Sequence, residues 1–131
     1  MTVVGVGTDL VDLDRLRLVL RRTPSIVGRL FTEQEQAYAQ QRRDPTERYG
    51  SRFAAKEAVL KALGLGLGSV PFRDIEVVRM GSGAPSLVLH GRAAHAARER
   101  GVDRWLLSLT HTAGLAHAVA MAMPAGAGPD T

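Results

Sequence analysis

From Asp44 to Gly64 the chain carries the signals of one long helix, and its small residues restrict what can lie against it. Asp44-Pro45-Thr46-Glu47 offers an N-cap, a proline at the first helical position and an acid in the first turn. The helix should then run through Arg52-Phe53-Ala54-Ala55-Lys56-Glu57-Ala58-Val59-Leu60-Lys61-Ala62-Leu63 and stop at Gly64. At about 100° per residue, Ala54, Ala55, Ala58, Val59, Ala62 and Leu63 share one broad side. Side chains this small predict close packing against another element. The opposite half carries Lys56, Glu57 and Lys61 with Phe53 and Leu60 among them, and Arg52 near the boundary. Charges set among bulky apolar residues read as the wall of a cleft. The competing reading is an exposed Glu57–Lys61 pair at i, i+4, worth only a few tenths of a kcal/mol. Periodicity leaves both open.

Shorter elements surround this helix. Val3 to Thr8 reads as a strand rich in valine and glycine, and Leu10, Leu13, Leu16 and Leu20 keep helical spacing up to Arg22. Thr32-Glu33-Gln34-Glu35 is a capping box that predicts a helix from about Glu33 to Gln41. After the loop of Gly64, Gly66 and Gly68 come strands over Asp74 to Met80 and Ser86 to His90, joined by Gly81-Ser82-Gly83-Ala84-Pro85. An alanine-rich helix, Arg92 to Arg100, precedes two strands, Trp105 to His111 and Leu115 to Met123. The order predicts an α+β fold with a small, mostly antiparallel sheet packed against the long central helix. A single domain over residues 1–123 and a disordered Gly/Pro/Ala tail over 124–131 are expected.

The chain has no cysteine, which excludes disulfides and thiolate metal sites, so a metal would need oxygen or imidazole ligands. No apolar run reaches about 18 residues and no signal peptide opens the chain, so a cytoplasmic protein with no membrane association is expected. The net charge of +4 comes largely from arginines in the first half, among them Arg15, Arg21 and Arg22. They are either solvated helix faces or a field that attracts an anionic partner.

Asp9 follows the first strand, and local sequence allows it to be a helix N-cap or a site residue at a strand end. Gly5-Val6-Gly7 is not a dinucleotide fingerprint, because Leu10 stands where the third glycine belongs. The Gly64–Gly68 run follows a helix instead of opening one, so it is not a P-loop. Of the four histidines, His111 alone sits where a strand gives way to a turn.

Taken together, Gly5-Val6-Gly7-Thr8-Asp9-Leu10-Val11, the Lys56-Glu57-Ala58…Lys61 helix and Ser108-Leu109-Thr110-His111-Thr112 resemble the holo-acyl-carrier-protein synthases, the short class of 4′-phosphopantetheinyl transferases. Phe31-Thr32-Glu33-Gln34-Glu35 and Gly83-Ala84-Pro85 are similar to further landmarks of that family. The resemblance runs from about residue 3 to 123, in order. It implies an enzyme that moves the 4′-phosphopantetheine arm of coenzyme A, the co-substrate, onto a serine of an acidic acyl carrier protein. It implies Mg²⁺ held by Asp9 and Glu57, an ion suited to carboxylates plus phosphate oxygens. Larger relatives often place a second acid where this chain has Val11, and in the short class water fills that place. Lys61 would meet the pyrophosphate; Arg52, Lys56, Gly64, Pro85, His111 and Thr112 match positions near the nucleotide. Glu57, with Asp9 as competitor, would take the serine proton, and Arg15 would meet the carrier. A homotrimer with sites shared between subunits is also implied, and carriers of fatty-acid or polyketide synthesis both fit. A small basic nucleic-acid-binding module would account for the arginines but leave the acids idle, and 5% aromatic residues are too few for a stacking surface, so no nucleic acid is expected. A noncatalytic homologue that binds coenzyme A or a carrier is the remaining alternative.

Overall fold

A computed structural model describes residues 2–126. The long helix forms as expected, as α4 (Thr46–Ala62), with Gly64 just beyond it at φ +71°. Asp44 caps from one residue further out than expected: its Oδ1 accepts from the Thr46 amide at 3.0 Å and the Thr46 hydroxyl at 2.6 Å. Twelve of the 17 residues of α4 are buried, so it is the centre of the fold and not a surface helix.

Preceding it are β1 (Gly5–Asp12), α1 (Leu13–Arg22), α2 (Ile26–Leu30) and α3 (Glu33–Ala39). After it come a 3-10 turn (Phe72–Asp74), β2 (Ile75–Arg79), β3 (Pro85–Leu89), α5 (Gly91–Glu99), β4 (Val102–Thr112) and β5 (Leu115–Pro124). The strands make two antiparallel sheets, one of order β1-β5-β4 and a hairpin of β2 and β3. The architecture is α+β around one long helix, as the element order predicts.

The three-stranded sheet turns its small-residue face to α4. Ala116, Ala118, Ala120 and Ala122 of β5 are fully buried there, as are Ala54, Ala55 and Ala58 of the helix. On β1 the same face presents Gly5 and Gly7. A Cβ on Gly7 would lie 1.8 Å from the Ala58 carbonyl oxygen, and one on Gly5 would lie 1.9 Å from that of Ala62. Strand backbone therefore rests directly on helix backbone. This explains the Gly5-Val6-Gly7 run without any nucleotide.

Several boundaries differ from the sequence expectation, for one reason. Strand pairing with β5 extends β1 through Asp9 to Asp12, so Asp9 lies inside the strand. The N-cap of α1 is Asp12, whose Oδ1 accepts from the Arg15 amide at 3.0 Å; Asp9 has no capping role. Leu10, counted on the helix stripe from sequence, is instead exposed on the outer sheet face. Pairing likewise lengthens β4 and carries β5 through Pro124, followed by a turn at 125–126. The remainder of the expected tail, 127–131, lies outside the described residues. Among the described residues no helix is long and apolar enough to cross a membrane.

The β1–α4 contact generates a clear expectation. Gly7→Ala should lower stability by about 3 kcal/mol or more, because only backbone could move to relieve the clash. Gly28→Ala, where a Cβ meets nothing within 4 Å, should be neutral or slightly stabilising. Urea midpoints of the two variants check the difference.

Candidate active site

Strand alternation aims Asp9 at α4, on the same face of β1 as Gly7 and Val11. There Lys61 donates to Asp9 Oδ1 at 3.1 Å and to the Thr8 carbonyl at 3.0 Å. The exposed Glu57–Lys61 pair considered from sequence is therefore not what forms: Lys61 pairs across to the strand. Glu57, one turn earlier on α4, lines one groove with Asp9. Its carboxylate accepts no hydrogen bond and makes no ion pair among the described residues. Its pKa is raised, first by burial and then by the neighbouring Asp9 charge, with Lys61 opposing.

The rest of the groove comes from α1 and α2, with Arg15 at one edge and Leu16, Val19, Ile26 and Leu30 on the walls beside Phe53. A second depression, lined by Lys61, Gly64 and Arg100, opens on the other side of the Asp9–Lys61 pair. Here Arg100 donates to the Leu63 carbonyl at 2.8 Å. Phe53 stands on the groove wall, as expected of the mixed side of the helix, whereas nothing local in the sequence marks Arg100 or the α2 residues as neighbours of Asp9.

The donor set fits a hard divalent cation of the magnesium type. Three carboxylates line the groove: Asp12 is committed to capping α1, Asp9 pairs with Lys61, and Glu57 has no hydrogen-bond partner. No cluster of three or more acidic, histidine or cysteine residues placed to hold one ion occurs among the described residues. Magnesium takes one or two carboxylates and completes its sphere with phosphate oxygens and water, whereas an all-protein calcium or zinc cage needs more ligands.

Lys56, expected from the resemblance to lie near the nucleotide, turns its side chain into the core. It is fully buried; its amine donates to Glu35 Oε1 at 2.8 Å, to the Phe72 carbonyl at 3.0 Å and to the Ile75 carbonyl. An ammonium has three donors, so none is left for a phosphate. Burial pushes the Lys56 pKa down, and Glu35 opposes. Glu35 does more than close the capping box. That bond forms, Thr32 amide to Glu35 Oε1 at 2.9 Å, while Oε2 accepts the Val77 amide at 2.9 Å. One buried carboxylate thus fixes α3 and β2 to α4.

Arg52 is also buried, and its Nε has no partner. Arg48 and Arg52 stack on the Tyr38 ring at 3.8 Å and 4.3 Å, with Arg79 at 5.4 Å. Burial lowers the pKa of Arg52. Three guanidiniums around one ring, one with a free buried donor, make a region of strong positive potential. His111 sits at the end of β4 with Nδ1 3.2 Å from Glu47, at the start of α4, and Thr112 follows it. Pro85 opens β3. None of Arg52, Pro85, His111 or Thr112 lines the Asp9–Glu57 groove. From Glu47, the partner of His111, to Lys61 the helix rises about 21 Å, so within one chain His111 and Thr112 lie far from Lys61 along α4, while Arg52 lies nearer.

The chain belongs to the 4′-phosphopantetheinyl transferase superfamily, whose family model matches residues 5–120. It is 48% identical to a holo-[acyl-carrier-protein] synthase of Frankia alni over 93% of this chain and 98% of that one. A holo-[acyl-carrier-protein] synthase structure from Neisseria meningitidis superposes with a TM-score of 0.84 at 32% identity, covering 93% of this chain and 99% of that one. A Bacillus anthracis holo-(acyl-carrier-protein) synthase in complex with CoA (3′,5′-ADP) superposes at 0.77 with 32% identity, over 93% and 97% of the two chains.

The raised pKa of Glu57 has a measurable consequence. The folded chain holds this proton to higher pH than the unfolded chain, so the group's contribution to stability is complete below the ordinary glutamate range. It is lost as pH rises from there through the folded pKa. In metal-free protein, Glu57→Gln removes that loss, and its stability relative to wild type should therefore increase between about pH 4 and pH 7. Urea unfolding of both proteins across that range tests it; a pH-independent difference would contradict the assignment.

Proposed function

We propose that this protein transfers the 4′-phosphopantetheine arm of coenzyme A to a serine of apo acyl carrier protein, releasing 3′,5′-ADP. The observation that carries the reading is the groove itself: Asp9 and a partnerless Glu57 at its floor, Lys61 beside them, Arg15 and apolar walls leading outward. That combination suits an anionic diphosphate meeting an acidic protein.

Asp9 and Glu57 would hold Mg²⁺, which, when bound, supplies positive charge against the diphosphate oxygens. The serine Oγ forms a bond to the β-phosphorus as the phosphoanhydride P–O bond breaks, and the electron pair leaves with 3′,5′-ADP. Glu57 takes the serine proton. It can do so directly or through a water, and Asp9 is the competing acceptor. Lys61 stands where its ammonium can turn from Asp9 to the charge developing on the leaving phosphate. Gly64, with positive φ and open space beside it, lets ligand approach the backbone at the end of α4.

Arg52, Pro85, His111 and Thr112 serve the nucleotide in this reading, and the guanidiniums of Arg48, Arg52 and Arg79 around Tyr38 supply positive potential suited to a phosphate. Lys56 acts indirectly, by holding the core beneath Arg52 and Glu57. The distance of His111 and Thr112 from Lys61 along α4 within one chain supports a reading that includes a homotrimer whose sites combine two subunits. The outer face of the sheet, with Val6, Leu10 and Leu106 exposed, is apolar enough to be covered by a neighbour. Arg15, at the groove's edge, meets acidic residues of the carrier and steers its approach. The reading places the protein in the cytoplasm, in fatty-acid or polyketide synthesis, with no nucleic-acid partner.

Purified protein with Mg²⁺ and coenzyme A should add about 340 Da, the mass of the phosphopantetheine arm, to an apo carrier protein in an intact-mass assay. Absence of any mass shift across several acidic carriers would overturn the proposal. Glu57→Gln should reduce transfer at least about 100-fold while remaining folded.

A further inference from the structure

One wall of the groove is a short element tied to the core by Val27 and Leu30, which pack partly against it, and by the fully buried Phe31 that follows. The helix α2 is five residues long, Ser25 gives it no side-chain cap and none of its residues is buried. A helix this short is unstable in isolation. Even so, its Ile26 and Leu30 face the groove that contains Asp9 and Glu57.

The anchor comes from the far side of the sequence. Arg73, in the 3-10 turn, donates through Nη1 to the Gly28 carbonyl at 2.6 Å and to the Phe31 carbonyl at 2.8 Å; the Phe31 oxygen also accepts from Gln36 Nε2 at 2.9 Å, so the Gly28 contact is the one Arg73 makes alone. These oxygens belong to the last turn and C-cap of α2, where a helix leaves its carbonyls without internal partners. The turn that carries Arg73 is itself fixed. Phe72 is buried, and its carbonyl accepts from the Lys56 amine at 3.0 Å. A continuous set of contacts thus links the buried lysine of α4, one residue before Glu57, to the outer wall of the groove.

We propose that Arg73 is a positioning residue for the carrier protein. Through Gly28 and Phe31 it holds Ile26 and Leu30 at the distance from Phe53 and Glu57 that a docked carrier requires. The inference rests on the transferase reading, but its physical core, the anchoring of α2, does not.

Arg73→Gln should raise KM for the apo carrier about 5- to 20-fold, the effect of losing a charge-assisted hydrogen-bond pair at a half-exposed site. KM for coenzyme A and kcat should stay within about twofold. Arg73→Lys, which keeps the charge and one donor, should fall between the two and replaces Arg73→Gln if that variant does not fold. With no ligand present, amide exchange should accelerate in residues 26–31 and remain unchanged in α4. An unchanged carrier KM, equal rises for both substrates, or faster exchange throughout the chain would each overturn the proposal. If wild type itself transfers nothing, the transferase reading fails, and the exchange comparison still decides whether Arg73 anchors α2.

Discussion

The approach of β1 to α4 without intervening side chains sets the geometry on which the site depends. With hydrogen in place of a Cβ at Gly5 and Gly7, the strand rests on the carbonyls of Ala62 and Ala58. Asp9 lies two residues further on the same strand face, so the same approach brings its carboxylate to the amine of Lys61 and to the groove of Glu57. Were the layers separated by ordinary side chains, the strand would stand several ångströms further off. The two acids would then no longer line one groove.

A second constraint holds the remaining elements to the helix. The Lys56–Glu35 pair is buried on both sides. Such a pair contributes little net stability relative to well-packed apolar residues, although removing one partner costs about 3–5 kcal/mol. Its geometric effect is larger than its energetic one. Glu35 joins the start of α3 and the Val77 amide to α4, and Lys56 adds the carbonyls of Phe72 and Ile75. The chemistry of Glu57 and the packing of the hairpin therefore share adjacent residues of one helix.

Much of the fold was legible because its signals are local. The Thr32/Glu35 capping box forms, α4 begins within two residues of its Asp-Pro signal, and α5 and the β2–β3 hairpin lie close to their expected places. The misplaced boundaries arise where strand pairing competes with helical periodicity. Leu10 fits a helical stripe in sequence, but pairing with His117 keeps it in β1 and moves the cap to Asp12. The two open alternatives at the site also resolve through pairing: Asp9 is no cap, and Lys61 turns from Glu57 to Asp9. Lys56 shows the limit of motif reasoning. Its charge and its neighbour Glu57 point to a ligand, while its burial directs it to the core.

By itself, the sequence determined the long helix and its ends, the small-residue side that demanded a close neighbour, and the motifs that identify the superfamily. These follow from caps, glycine conformations and side-chain sizes acting over a few residues. Only the tertiary structure decided that Asp9 meets Lys61 across 52 positions, that Lys56 is buried on Glu35, and that Arg73 reaches the end of α2. Contacts between residues so distant along the chain depend on how sheets and helices stack, which no short stretch of sequence encodes.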